Sequence, residues 1–349
     1  MVNRSLIETV LKRTISRQDP KGTIMDIDRF DWVPGVGLYG VERVWEYLKD
    51  ESAGIFLHDW IEQHKERACE LRTVNSTAPV MTIMGFKGSE ETELAKNIAD
   101  YILDIAPRLE NGALEHTVTE AGVKFSKQMW ADTLFMVCIM LAKLGKVTGE
   151  TKYSKEAARQ LLLHHTYLKD KESGLFFHGY SEPLDNHLSA ARWARANSWI
   201  TVSTVEIMEL LPDKFEGRDE ILCSLNEQVQ AYSRYQRGDG MFYTVIDRPD
   251  GYTETSATAA IAYGVLRGIK DGYIDNKYQE VWKKAAQGVI NHIEADGTVT
   301  GVSGGTPIMD TVEEYHTIKV LPTLYGQGLT LIMLCEIYKT EGGTESDNS

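Results

Sequence analysis

The sequence predicts an all-α protein of twelve helices paired into six hairpins, and two observations carry that prediction. Apolar residues recur with the 3.6-residue period of a helix in segment after segment. Between the segments one kind of turn returns four times, a polar residue and a glycine followed by an extended apolar run. Nothing divides the chain: its nine prolines are scattered and no low-complexity tract precedes residue 341. Of the 349 residues, 1–340 are therefore expected to form a single domain and 341–349 a disordered tail.

Taken in order, the helical period is found near 3–18, 36–50, 55–68, 76–86 and 91–106, after which Asn111-Gly112 makes the first turn. Segments 128–147 and 153–168 lead to Ser173-Gly174, and 189–212 and 217–235 to Asp239-Gly240. Segments 254–272 and 276–294 lead to Asp296-Gly297, and 323–340 closes the series. The four glycines lie 62, 66 and 57 residues apart, a period that fits two helices and a loop. Each follows a helix, where glycine can take the left-handed conformation that ends it. Met129 to Leu144 is mostly apolar, which places it on an inner helix, whereas outer helices should be amphipathic. Six such hairpins would close into a double-layered barrel or stack into an open solenoid, and periodicity does not separate the two.

A formal net charge of −14 argues against a nucleic-acid partner and against docking on an anionic membrane. It does not exclude an anionic substrate, because a local Arg or Lys outweighs a screened distant average. The N-terminal residues carry frequent charge and no apolar core of a signal peptide, and the most apolar run, Thr133 to Ala142, is far too short to span a bilayer. Cys69, Cys138, Cys223 and Cys335 have no metal-binding spacing and sit in apolar stretches, so each is expected to be a buried free thiol. A cytoplasmic location is the expectation that follows. No P-loop, dinucleotide glycine pattern, HExxH or serine elbow is present, and no metal or cofactor is expected. The adjacent rings of His164 and His165 would diverge on a helix.

Three stretches mix aromatic and polar side chains in the manner of a carbohydrate pocket, where Trp and Tyr stack on sugars and His, Arg and Asp bond hydroxyls or carboxylates. They are Lys127-Gln128-Met129-Trp130-Ala131-Asp132, Ser173-Gly174-Leu175-Phe176-Phe177-His178, and Trp193-Ala194-Arg195-Ala196-Asn197-Ser198-Trp199. With Trp32-Val33-Pro34-Gly35-Val36-Gly37, Gly240-Met241-Phe242-Tyr243, Glu254-Thr255-Ser256-Ala257 and Tyr325-Gly326-Gln327-Gly328, in this order, they resemble glycoside hydrolase family 105, and more distantly family 88. The resemblance covers most of the chain and implies a six-hairpin (α/α)6 barrel. It also implies removal of a terminal Δ4,5-unsaturated uronic acid from short oligosaccharides, rhamnogalacturonan-type most of all, with water as co-substrate.

The implied chemistry protonates C4 of an enol ether and adds water at C5, so the carboxylate-spacing rule for ordinary glycosidases does not apply. Asp132 matches the general acid. Its pKa would have to be raised for that task, and Trp130 and Met129 could supply an apolar wall. A place in the first helical turn would pull the other way, and a plain helix-start acid is the bland alternative. His178 and Arg195 match substrate-binding residues, Arg195 near the uronate, where a guanidinium fork suits a carboxylate. Trp130 and Trp199 match aromatics lining the pocket, and Trp32 an aromatic at its mouth. Asn75 stands where relatives often carry a second acid, a role an amide cannot fill, with Glu115 and His116 close enough in sequence to compensate. Rival readings are a sugar epimerase or isomerase on the same barrel, a sugar-binding protein that has lost catalysis, and a helical scaffold for partners.

Overall fold

The computed structural model describes residues 2–86 and 88–342. Of the expected disordered tail, 343–349 lie outside the described residues. In chain order the helices are α1 (Arg4–Thr14), α2 (Trp32–Leu48), α3 (Glu51–Glu70), α4 (Val74–Ile83) and α5 (Ser89–Asp104). A π-helical turn (Leu134–Cys138) runs directly into α6 (Ile139–Thr148), followed by α7 (Thr151–Tyr167), α8 (Ala194–Leu210), α9 (Arg218–Tyr235) and α10 (Thr255–Lys270). The chain ends with α11 (Gln279–Ile290), a single turn α12 (Val312–Tyr315) and α13 (Leu324–Thr340).

Packing sorts the long helices into two layers. Among the described residues, α2 packs on α4, α4 on the π-turn and α6, α6 on α8, α8 on α10, α10 on α13, and α13 returns to α2. That ring is closed, which excludes the open solenoid. Its members are buried almost all round: every residue of α4 is buried, as are 194–208 in α8, 255–268 in α10 and 324–338 in α13. The outer layer is α1, α3, α5, α7, α9 and α11, each burying one stripe against the ring. The closure at α2–α13 depends on glycine. A Cβ on Gly40 would stand 2.6 Å from the Gly328 Cα, so only paired glycines let these backbones approach so closely.

The repeated turns are physical. Gly112, Gly174, Gly240 and Gly297 all have φ between 82° and 87°. They lie several residues beyond the outer helices rather than at their ends, where each turns a short excursion back toward the ring. Side-chain amides from inner helices fasten these excursions: Asn197 bonds both Phe176 N–H and Phe176 O, and Gln327 bonds Val299 N–H and Gly297 O.

Four expectations need correction. Segment 128–147 is not helical from its start: Gln128–Trp130 forms strand β1, paired antiparallel with β2 (Gly179–Ser181), and helix begins at 132. The backbone of 128–130 finds hydrogen-bond partners across the fold, and that overrides its apolar period. Helix α8 begins at Ala194 rather than 189, after Leu188 and Ala190 in left-handed conformations. Helix α2 begins at Trp32 rather than 36, since Pro34 falls in the first turn, where no N–H is required. Finally, Cys138 and Cys335 are buried but Cys69 and Cys223 are exposed. No helix among the described residues is long and apolar enough to cross a membrane.

Candidate active site

Four inner helices present their N-terminal ends to one cavity of about 310 Å³. Trp32 opens α2, Asn75 is the second residue of α4, Asp132 begins the helix that becomes α6, and Arg195 is the second residue of α8; all four line the cavity. Helix N-termini carry partial positive charge and unpaired N–H groups, so this end of the barrel favours an anion. A larger cavity, about 700 Å³, opens beside Arg43, Glu46, Tyr47, Glu209 and Arg267. These come from the C-terminal halves of inner helices, at the opposite end of the barrel. Its arginines are paired, Arg43 with Glu46 and buried Glu206, Arg267 with Glu209, Asp271 and buried Glu336. It is therefore the weaker candidate.

The β1–β2 ladder positions the central pair. Trp130 lies opposite Gly179, and Ala131 N–H donates to His178 O at 3.0 Å, which brings Asp132 against the His178 ring. Asp132 Oδ2 and His178 Nε2 are 3.4 Å apart. Both atoms are buried, and neither has a hydrogen-bond partner of sound geometry among the described residues. Burial pushes the Asp132 carboxyl up, but the His178 contact and the fields of His178, His116 and Arg195 outweigh it and hold the group below the ordinary carboxylate range. The expectation of a raised pKa is thus reversed, because the His178 contact and the neighbouring charges outweigh burial. Burial likewise pushes His178 below its ordinary value, and Asp132 offsets part of that.

Around this pair the rings are closely stacked. His116 lies flat on Trp130, centroids 4.3 Å apart and planes 6° apart, with Nδ1 3.0 Å from Thr133 Oγ1. Burial lowers the pKa of His116 to about 4, so the ring is neutral near pH 7. The Trp130 indole N–H donates to Gln128 Oε1 at 3.0 Å, and Phe125 packs against its ring. Trp32 stacks on Tyr325 at 4.9 Å. Asn75 is 5% exposed, and its backbone N–H donates to Thr117 O. Glu115 accepts from Lys127 N–H and is not among the lining residues, whereas His116 is.

Three expectations about the site change. His178, expected to bind substrate, is buried and is not among the lining residues. Trp199 is fully buried against Phe135 and is not among the lining residues. Four residues after Arg195 on the same helix, it sits about 6 Å deeper along the axis, inside the core. Arg195 reaches the cavity, but its fork is already engaged. Sandwiched between Trp193 and Tyr325, it donates from Nη1 to Ser303 Oγ (2.6 Å) and Ser303 O (3.0 Å), and from Nη2 to Gly304 O (2.8 Å), with Glu254 Oε1 3.4 Å away. Among the described residues, only its Nε is left without a partner. Arg195 therefore acts first as the clamp of the segment that brings Gly305, Thr306 and Pro307 to the cavity. That segment, and Tyr315 behind it, are absent from the sequence clusters: Tyr315 is embedded in the charged run Val312-Glu313-Glu314, which reads as surface. Among the described residues no group of three His, Cys, Asp or Glu is placed to hold a metal ion.

Comparison with known proteins places these features in a family. The profile of glycosyl hydrolase family 88 matches residues 6–341. The unsaturated rhamnogalacturonyl hydrolase YesR of Bacillus subtilis (strain 168) is 31% identical over 342 residues, covering 97% of this chain and 95% of that one. A Salmonella enterica structure, described as a possible member of the GH105 family, superimposes with a TM-score of 0.91 at 30% identity, covering 97% of this chain and 94% of the other. An unsaturated glucuronyl hydrolase from Bacillus sp. GL1 shares the fold, with a TM-score of 0.76 at 16% identity over 97% of this chain and 95% of that one.

Proposed function

The chain belongs to glycosyl hydrolase family 88, and from that premise we propose that it hydrolyses unsaturated uronyl oligosaccharides, releasing a terminal Δ4,5-unsaturated uronic acid from a rhamnogalacturonan-type fragment. One observation carries the reading: a buried carboxylate and imidazole face each other unpartnered at 3.4 Å, beside a cavity ringed by indoles and helix N-termini. Buried polar atoms normally have partners, so a couple without them, its carboxylate lining the cavity, points to a ligand that completes it.

In the proposed reaction the uronate is drawn in by the helix N-termini and by Arg195, while Trp32 and Trp130 pack on sugar faces. Asp132 starts ionised. A bound uronate carboxylate and the loss of water both favour its neutral form, so substrate binding itself loads the proton. Asp132 gives that proton to C4 of the enol ether, and water adds at C5 as the Asp132 carboxylate takes a proton from it. The resulting hemiketal opens at its C5–ring-oxygen bond to a ketone. The hemiacetal left at C1 then collapses to an aldehyde, and the aglycone leaves as an alcohol. One water is consumed, and the glycosidic oxygen stays with the aglycone. His178 holds Asp132 by its contact. The Asn75 amide, which cannot carry an acid's proton, orients the water or a sugar hydroxyl. We place this activity in the cytoplasm, on imported short oligosaccharides, a reading supported by four unpaired cysteines.

The test is the decay of the enol-ether ultraviolet absorbance with lyase-made unsaturated di- and trisaccharides that differ in uronyl terminus and aglycone. Decay that is fastest with a rhamnose aglycone is expected. Binding without decay on every substrate would overturn the hydrolase reading in favour of a sugar-binding protein. Product with the double bond intact but an inverted or isomerised sugar would favour the epimerase class.

A further inference from the structure

Tyr315 sits on α12, a single turn whose capping box, Thr311 with Glu314, faces solvent while its last residue is fully buried. Its hydroxyl oxygen lies 2.7 Å from His178 Nδ1 and accepts a hydrogen bond from Met309 N–H at 3.3 Å. The other ring nitrogen of His178 is the one facing Asp132 Oδ2. We infer that Tyr315 is a positioning residue for Asp132: its hydroxyl donates to His178 Nδ1, fixes the imidazole as the Nε2–H tautomer, and so presents an N–H rather than a lone pair to the carboxylate.

The argument is one of proton placement. A neutral imidazole has one N–H and one acceptor nitrogen, and the partner of one nitrogen decides the other. A bare Nε2 lone pair 3.4 Å from a buried carboxylate would set two electron-rich atoms against each other with nothing between them. The proton therefore belongs on Nε2, and Nδ1 needs a donor. Tyr315 is the group in reach, and burial pushes its hydroxyl well above the ordinary phenol value, which keeps it protonated. The ring cannot easily turn over to exchange its nitrogens, since Trp193 lies 4.3 Å from it on one contact and Trp130 5.4 Å on another. The hydroxyl that orients His178 also holds Met309, two residues beyond the Thr306-Pro307 wall of the cavity. Displacing that wall from Met309 onward would remove a bond from the same oxygen, so the seating of the wall and the setting of the acid are linked through one atom.

This inference rests on the proposed role of Asp132, but its first test does not. Imidazole ¹⁵N shifts distinguish a protonated from a bare ring nitrogen, and His178 is identified among the nine histidines by the signals lost in His178→Gln. Wild-type protein is expected to show Nε2–H with Nδ1 bare, without any substrate present. In Tyr315→Phe the tautomer preference should be lost, and kcat should fall about tenfold or more while KM changes less than about twofold, as expected when alignment rather than binding is lost. An Nδ1–H tautomer in the wild type overturns the relay. So does a folded Tyr315→Phe that keeps both the tautomer and kcat. If that variant does not fold, the wild-type tautomer decides alone. Absence of turnover on every unsaturated substrate would sink the hydrolase reading while leaving the ¹⁵N result to judge the relay.

Discussion

Replacing Asp132 by Asn removes the ionisable proton and little else. The carboxamide has the same shape and keeps an oxygen for the His178 contact, 3.4 Å away in the wild type. It cannot serve as an acid. A positioned general acid typically contributes ~10²–10⁴ in rate, so kcat should fall by about 3–5 kcal/mol of transition-state stabilisation. KM should change far less, because the aromatic walls and Arg195 are untouched. Stability should fall slightly together with activity. The side chain is 13% exposed and its surroundings hold the carboxyl below the ordinary range, so the ionised form contributes stability that a neutral amide forgoes, and Tm should fall slightly. The assay follows the enol-ether absorbance, with thermal unfolding of the same preparations. A folded Asp132→Asn protein within about tenfold of wild type would refute the reasoning and place the acid elsewhere.

The two tryptophans should separate by readout. Trp32→Ala removes a partly exposed cavity wall and should raise KM with little loss of Tm, whereas Trp199→Ala empties a buried site and should cost about 3–5 kcal/mol of stability in thermal or urea unfolding. A Trp199→Ala protein of normal stability but raised KM would put that ring back in the pocket. Acid should destabilise the fold below the ordinary histidine value. Burial lowers His116 and His164 to about 4 and His165 to about 3. Between the unfolded value of 6.5 and pH 4 the unfolded chain binds protons that the folded one refuses, so stability is full above 6.5 and is lost as pH falls. Each histidine contributes a slope of about 1.4 kcal/mol per pH unit, so the urea midpoint should drop steeply from pH 6.5 to 5, and a flat profile there would contradict the buried neutral rings.

The amino-acid order by itself determined the number of helices, their pairing and the chemical type of the site. Twelve apolar periods and four Gly turns are local signals, set by spacing and by a backbone conformation that glycine adopts freely, and Gly112, Gly174, Gly240 and Gly297 all adopt it. The Met-Trp-Ala-Asp run marked Asp132, and Trp193 to Arg195 marked a second wall. Only the tertiary structure decided whether the hairpins close, because closure depends on a contact between α2 and α13, nearly 300 residues apart, through Gly40 and Gly328. It also decided the start of the helix that carries Asp132, since the strand at 128–130 exists by virtue of its partner at 179–181. The roles of individual side chains were of the same kind. Trp199 and Arg195 look alike in sequence, yet one helical turn separates core from cavity. The Arg195 fork is occupied by Ser303 and Gly304, and Tyr315 reaches His178 from a segment that reads as surface. A charge, a tautomer and a pKa depend on what stands within a few ångströms, and in this barrel those neighbours are distant in sequence.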